Sequence, residues 1–186
     1  MPKNSHSDSY KQRALYQIDK ICNDLPANGE LNTAARRIYH RYHDAGEAYG
    51  HSPQRIACGC IMLAAETKNI PISYNDLPLP AKETISAKRT LKDVCDVHTL
   101  PVSASAFLDR YAETLEIPDA MKERAQEILD NTISDAAPKT QAACAIIAAS
   151  RETHDKINIK TFDINTNVAT ASIDNNLGEY TSQIQT

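Results

Sequence analysis

Two stretches of the chain are apolar on nearly every face of the helix that each would form. They are HSPQRIACGCIMLAAETKN at 51–69 and AAPKTQAACAIIAASRETH at 136–154, and both are rich in alanine. A helix that is apolar all round is a buried one, and a proline in the first turn marks its start. An offset of 85 residues pairs Pro53 with Pro138. The pattern predicts two central helices and indicates that one domain occurs twice.

Amphipathic segments surround each central helix in the same order. Two of them, with apolar residues at spacings of three and four, precede it. A short helix, a turn and a longer helix follow it, which is the pattern of a helix-turn-helix-like pair. We therefore predict an all-α fold of two tandem five-helix repeats. The segments span 11–25, 31–45 and 73–97 in the first half, and 105–117, 119–136 and 158–184 in the second.

The repeat pattern also predicts the domain limits. Repeat 1 is expected at 11–98 and repeat 2 at 99–186, with the boundary near VHTLPVSAS at 97–105. Residues 1–10 are polar and are expected to form a disordered leader. The alternative is one irregular helical domain whose halves resemble each other by chance.

Composition narrows the class of protein further. Aromatic residues make up 5% of the chain and Trp is absent, so the core must be built from small aliphatic side chains, which suits close helix packing. The chain has 5 cysteines but no CxxC pair, and it lacks a signal peptide, which indicates reduced thiols and no zinc ribbon. His40 and His43 share a helix face but are too few to hold a metal. Phosphate-binding loops and nucleophile elbows are also absent, so we expect neither an enzyme nor a cofactor.

Several motifs resemble archaeal transcription factor B and eukaryotic transcription factor IIB. RRIYHR at 36–41 is similar to the family's helix ending in IYR, and YGHSPQRIACGCIMLAAE at 49–66 is similar to its turn and Ala-rich central helix. FLDRY at 107–111 resembles the opening of the family's second repeat. RTLKDV at 89–94 resembles its RTYRYV segment. The resemblance as a whole covers residues 13 to about 182.

The resemblance implies two cyclin-like repeats that bind TATA-binding protein and double-stranded promoter DNA. It implies a location on the archaeal nucleoid in the cytoplasm, or in the nucleus of a eukaryote, and no membrane contact. The family recruits RNA polymerase through an amino-terminal zinc ribbon, which these residues cannot form. Polymerase recruitment by that route is therefore not expected of this chain.

Charge is unevenly distributed between the two halves. Residues 11–98 carry 12 Lys or Arg and 10 Asp or Glu, whereas residues 99–186 carry 7 and 13. Because cations supply phosphate contacts, DNA affinity should come from the first repeat. An excess of carboxylate is also found in proteins from a saline cytoplasm, and the motifs resemble archaeal members most.

Four cations on or just before the last helix of repeat 1 are the predicted DNA contacts. Lys88 and Lys92 are four residues apart and share a helix face. The alternative is an ordinary solvated face that Asp93 and Asp96 balance. The predicted contacts are Lys82, Lys88, Arg89 and Lys92.

The last helix of repeat 2 departs from the family at the positions that would read DNA. By resemblance to the family's V-T-I-R-N-R-Y, its two arginines are replaced by Asp174 and Asn176. An Arg fork suits the two acceptors of guanine, whereas Asp can only accept. We expect reading of the upstream element to be altered or lost, although Asp174 could accept from cytosine. The doubtful contacts of this repeat are Lys160, Ser172, Asp174, Asn175 and Asn176.

Two functions from different classes remain open at this point. The first is a transcription-initiation core that binds TATA-binding protein and promoter DNA. The second is a ribbon-less protein-interaction module, acting as an adaptor or antagonist without DNA binding. For either, a possible partner surface comprises Arg36, Arg37, Arg41 and Arg110.

Overall fold

The computed structural model describes residues 5–46, 51–153 and 156–182, and for residues 5–8 the backbone alone. All regular secondary structure in these ranges is helical. Parts of three predictions lie outside the described residues. These parts are the first four residues of the leader, Tyr49 and Gly50 of the turn before the first central helix, and the end of repeat 2.

Residues up to Pro101 form one compact unit around a central helix. The helices α1, α2 and α4 pack against α3, and the α3 residues Ile56 to Ala65 are all buried. Its alanines, glycine and two cysteines allow these neighbours to approach closely. The elements of this unit are α1 (Ser5–Cys22), α2 (Asn28–Asp44), α3 (Pro53–Lys68), a 3₁₀ turn (Tyr74–Asp76) and α4 (Ala81–Cys95).

Residues from Val102 onward form a second compact unit with the same plan. Its central helix α7 packs against α5, α6 and α9, and Ala142 to Ser150 are buried. Both central helices begin at the predicted prolines. The predicted fold class, an all-α tandem of two helical repeats, is confirmed. The elements are α5 (Ala104–Thr114), α6 (Asp119–Asn131), α7 (Pro138–Glu152), α8 (Ile159–Thr166) and α9 (Thr170–Thr181).

The fourth element differs between the two units. In the second unit it is the helix α8, whereas in the first unit it is only the 3₁₀ turn Tyr74–Asp76. Ser73 and Asp76 close this turn reciprocally, and the Ser73 backbone N–H donates to Asp76 Oδ2 at 2.8 Å. Pro78 and Pro80 follow at once, and proline neither donates a helical hydrogen bond nor lets the preceding residue be helical. The predicted short helix therefore cannot extend.

The helix α1 begins at Ser5, so residues 5–10 of the predicted leader lie in a helix. Its amino-terminal part is held by side chains: the Tyr10 hydroxyl donates to the His51 carbonyl at 2.6 Å. Arg13 also donates to the Ser9 side chain at 3.0 Å. The repeat limits at 98 and 99 stay predictions.

Several helices end at a residue in the left-handed conformation that is not glycine. Glu116 has a φ of 51°, and the next amide, that of Ile117, donates back to the Ala112 carbonyl at 2.9 Å. Asn69 has the same conformation, and Ile70 donates to Ala65 in the same way. This is the Schellman arrangement, with an apolar residue directly after the left-handed one.

The helices α3 and α4 cross closely at Gly59. A Cβ atom built on Gly59 would lie 2.7 Å from Leu91 Cδ1, 3.0 Å from Ala87 Cβ and 3.1 Å from the Ala87 carbonyl carbon. The Leu91 side chain can turn away, but the Ala87 backbone cannot move without shifting α4. Gly59 therefore sets the distance between α3 and α4.

Gly59→Ala is expected to lower the free energy of unfolding by about 1–3 kcal/mol, because the added methyl forces α4 away from α3. Urea denaturation followed by circular dichroism measures this. The matched control is Gly29→Ala in the same unit, where an added Cβ has no atom within 4 Å. Equal stability of the two variants would contradict the close crossing.

Candidate nucleic-acid interface

The helix α4 has three distinct sides. Thr84, Ala87 and Leu91 are buried and face the core. Lys88 and Lys92 lie along one flank and are partly buried. The opposite side is exposed and carries Lys82, Ile85, Ser86, Arg89 and Asp93, at the spacing of three and four residues that places them in one stripe. We call these five residues the outward stripe.

The flanking lysines bind a partly buried carboxylate, that of Glu66, at the end of α3. Lys88 Nζ lies 2.6 Å from Glu66 Oε1, and Lys92 Nζ lies 3.4 Å from Oε2. The Glu66 side chain is only 9% exposed and that of Lys88 17%. The Thr99 hydroxyl donates to the same carboxylate at 2.5 Å, and Lys88 lies 5.4 Å from the centre of the Tyr74 ring. Lys88 and Lys92, two of the predicted DNA contacts, are therefore paired with a carboxylate of the protein itself.

Electrostatics support this inward arrangement. Burial by itself raises the pKa of Glu66, but hydrogen bonds from Lys88 and Thr99 and the charges of both lysines outweigh it and lower that pKa. Burial likewise lowers the pKa of Lys88, yet its contacts with Glu66 and Tyr74 raise it overall. Both groups are held in their charged forms, which a half-buried ion pair requires.

The outward stripe keeps two cations facing solvent. Within the described residues, no ion pair involves Lys82 or Arg89. Ile85 lies between them and is 40% exposed. Arg55 lies in the first turn of α3, and its Nη2 donates to Ser86 Oγ at 2.8 Å. This bond places a third cationic side chain beside the outward stripe. The sequence analysis did not include Arg55, because only the fold places it beside α4.

In the second unit, α8 and α9 are joined by a defined turn. Asn167 is left-handed, with a φ of 56°. The Asp163 carboxylate accepts from the Thr170 amide at 3.0 Å and from its hydroxyl at 2.8 Å, and these bonds lower the pKa of Asp163. The first turn of α9 is therefore fixed against α8, as in a helix-turn-helix pair.

The predicted reading positions of α9 lie in different settings. Asp174 and Asn175 are exposed, whereas Ser172 is partly buried. Asn176 Nδ2 donates to the Ser172 carbonyl at 2.7 Å, so this side-chain hydrogen bond lies within α9. Lys160 is exposed in the first turn of α8. The helix α9 itself contains no Lys or Arg.

The four arginines predicted as a partner surface lie in different local settings. Arg36 Nη1 lies 2.7 Å from Asp19 Oδ1 and ties α2 to α1. Arg37 and Arg41 are exposed on α2. Arg110 belongs to the second unit and is partly buried there. Only Arg37 and Arg41 are thus both exposed and on one helix.

The cysteines serve the core. Four of the five are buried free thiols, and Cys95 is partly exposed. Burial raises the pKa of Cys22, Cys58 and Cys144 to about 12, which keeps them protonated. Such thiols are poor nucleophiles and poor metal ligands.

In the described part of the chain, no helix is both long enough and apolar enough to span a bilayer.

The two helical units and the exposed cations of α4 define a class of protein. It is a tandem helical-repeat protein whose first repeat exposes a basic helix. Residues 7–82 match the family model described as the transcription factor TFIIB repeat. That range runs from α1 to the first turn of α4.

Known relatives extend the comparison beyond the first repeat. Transcription initiation factor IIB 2 of Halobacterium salinarum is 25% identical over 95% of this chain and 57% of its own length. Factor IIB 3 of the same organism is 26% identical over 78% of this chain and 49% of its own length. A viral cyclin from herpesvirus saimiri has a TM-score of 0.42 at 14% identity, over 95% of this chain and 85% of the cyclin.

Residues 7–82 are therefore similar to a TFIIB repeat, and most of the chain is similar to transcription initiation factors IIB. The chain spans about half the length of the curated relatives it matches.

Glu66→Gln is expected to lower the free energy of unfolding by roughly 2–3 kcal/mol at neutral pH, because it leaves Lys88 half-buried without its counter-charge. The folded-state pKa of Glu66 is lowered, so its stabilisation is complete above the ordinary glutamate pKa. It is lost as the pH falls through the lowered value. The difference between the two proteins should therefore shrink in acid.

Urea denaturation from neutral pH down to pH about 3, which lies below the ordinary glutamate pKa, measures this difference. The control is Lys82→Gln on the exposed side of α4, which should change stability by less than about 0.5 kcal/mol. A Glu66→Gln difference that stays constant with pH would contradict the ion pair.

Proposed function

We propose that this TFIIB-like core acts in transcription initiation by binding promoter DNA through the outward stripe of α4, together with a TATA-binding protein. The observation that carries the proposal is the exposure of Lys82 and Arg89 on one side of α4, with Arg55 beside them. Within the described residues neither Lys82 nor Arg89 has an ion-pair partner, and exposed cations of this kind displace counterions from phosphates. The names of the relatives support a role at initiation.

The set of proposed contacts differs from the sequence prediction. Lys88 and Lys92 are assigned to Glu66, and a DNA contact by them would break a half-buried ion pair. Lys82 and Arg89 are retained, and Arg55 is added through its bond to Ser86. We propose no catalytic role and no bound cofactor, and we place the protein at the nucleoid because DNA is the proposed ligand.

A second candidate function has its own support. The outward side of α9 bears Asp174 and Glu179, and these carboxylates would repel phosphates. A core whose second repeat does not grip DNA would occupy TATA-binding protein as an adaptor or antagonist. The two candidates differ in whether complex formation requires DNA and responds to salt.

The double variant Lys82→Glu with Arg89→Glu is expected to weaken the complex with TATA-box DNA and TATA-binding protein by about tenfold or more. It should also reduce the slope of log affinity against log salt by about two, one for each lost phosphate contact. Fluorescence anisotropy of labelled DNA at several salt concentrations measures both effects.

The matched control for this variant is Arg13→Glu with Lys20→Glu, which reverses two exposed cations on α1. It changes net charge equally, so it separates the α4 contact from general repulsion. A complex that needs no DNA and is indifferent to salt would favour the adaptor or antagonist. Equal weakening by both double variants would contradict the assignment to α4.

Asp174→Arg is expected to strengthen DNA binding and to add about one unit to the salt slope, if α9 faces the duplex. An arginine there would also favour guanine at one position beside the TATA box. Binding to DNA variants of that flank measures the preference. The control is Glu179→Arg on the same helix, and an equal gain from both would indicate only general attraction.

A further inference from the structure

The corner between α5 and α6 contains a surface groove with a volume of about 280 Å³. It is smaller than the roughly 300–1,000 Å³ of pockets that hold small-molecule ligands, so it suits one or two side chains. Five of its lining residues are apolar, and the sixth is a carboxylate at the rim. They are Leu115, Glu116, Ile117, Pro118, Met121 and Ile157.

The groove is rigid because the backbone fixes its corner. Leu115 and Ile117 flank the left-handed Glu116, whose amide donates to the Glu113 carbonyl at 3.2 Å. The Ile117 amide donates to Ala112 at 2.9 Å. Leu115, Ile117 and Ile157 rest on the core of this unit while remaining partly exposed. A preformed apolar groove needs little reorganisation on binding.

Carboxylates surround the groove in excess of cations. Glu113, Glu116 and Asp119 are exposed at this corner. Lys122, the cation of the corner, lies 2.7 Å from Asp109 and is also attracted by Asp119 and Glu113, so its charge is already balanced. Lys156 precedes Ile157 and is the one other cation beside a lining residue.

We propose that this groove docks a basic amphipathic segment of a partner protein. Its aliphatic side chains would enter between Leu115, Ile117 and Met121, and its Lys or Arg residues would face Glu113, Glu116 and Asp119. Charge complementarity favours this occupant over nucleic acid or an anionic membrane, which the carboxylates would repel. The site is on the second unit and does not depend on DNA binding by α4.

The probe for this site is a synthetic helix-forming peptide of leucine and lysine residues, with an otherwise identical peptide in which glutamate replaces lysine. Fluorescence anisotropy with the full chain measures binding. Methyl NMR shifts show whether the probe contacts Leu115, Ile117, Met121 and Ile157. The lysine peptide should bind at least about tenfold more tightly than the glutamate peptide.

Two pairs of variants locate the binding. Ile117→Ser should weaken the lysine peptide about tenfold, whereas Ile164→Ser, at an isoleucine that is 81% exposed on α8, should not. Glu116→Lys should weaken it about fivefold or more, whereas Asp135→Lys in the loop before α7 should not. Glu116→Lys leaves a non-glycine residue in the left-handed position, so it remains informative if Ile117→Ser unfolds.

Equal weakening by Glu116→Lys and Asp135→Lys would overturn the proposal, because it would show general attraction to an acidic unit. Shifts that fall outside the groove would overturn it as well. A second copy of the chain is the rival occupant, since Ile85 between Lys82 and Arg89 has the required chemistry. Concentration-dependent self-association that both Ile85→Ser and Ile117→Ser abolish would assign the groove to it instead.

Discussion

The close crossing of α3 and α4 at Gly59 is the constraint on which the exposed features of the first repeat depend. Only an absent side chain lets Ala87 and Leu91 pack directly on α3. Once these two residues face inward, the rotation of α4 about its axis is fixed. The residues on its opposite side, Lys82 and Arg89, must then face solvent. A packing requirement in the core thus determines which charges are available outside.

Glu66 divides the remaining charges of α4. A carboxylate at the end of a buried helix loses hydration, and this loss must be offset by cations and donors. Lys88, Lys92 and Thr99 supply them. Four cations that look equivalent along the sequence therefore separate into two that stabilise the fold and two that remain available for binding. The number of basic residues in a helix therefore does not give the number of cations that face solvent.

The sequence predicted those features of the fold that depend on periodicity and on proline. The two buried helices and their starts at Pro53 and Pro138 follow from an apolar pattern without a polar side. The helix ends were harder to predict, because Glu116 and Asn69 adopt the left-handed conformation that glycine usually marks. An isoleucine follows each of these residues, and its amide donates back into the helix. The isoleucine alone does not mark a helix end, since only the backbone hydrogen bond shows its role.

Side-chain pairing between distant elements was the least predictable feature of the candidate site. Lys88 and Glu66 are 22 residues apart and Arg55 and Ser86 are 31 apart. No local pattern joins them. The i, i+4 spacing correctly indicates that Lys88 and Lys92 share a face. It cannot tell which neighbour that face meets, since this follows from how α3 and α4 cross.

The two repeats show how far core and surface can vary independently. The central helix of each repeat is buried. The last helix of each repeat packs its inner side with apolar or small residues, which are Thr84, Ala87 and Leu91 in α4, and Ile173, Leu177 and Tyr180 in α9. These inner positions are restricted by packing. The outer positions contact only solvent, so a cation or a carboxylate there has little effect on folding. Two copies of one fold can therefore present a basic helix in one place and an acidic helix in the other. The proposed DNA contact on α4 and the proposed groove for a basic segment accordingly lie on separate repeats of this chain.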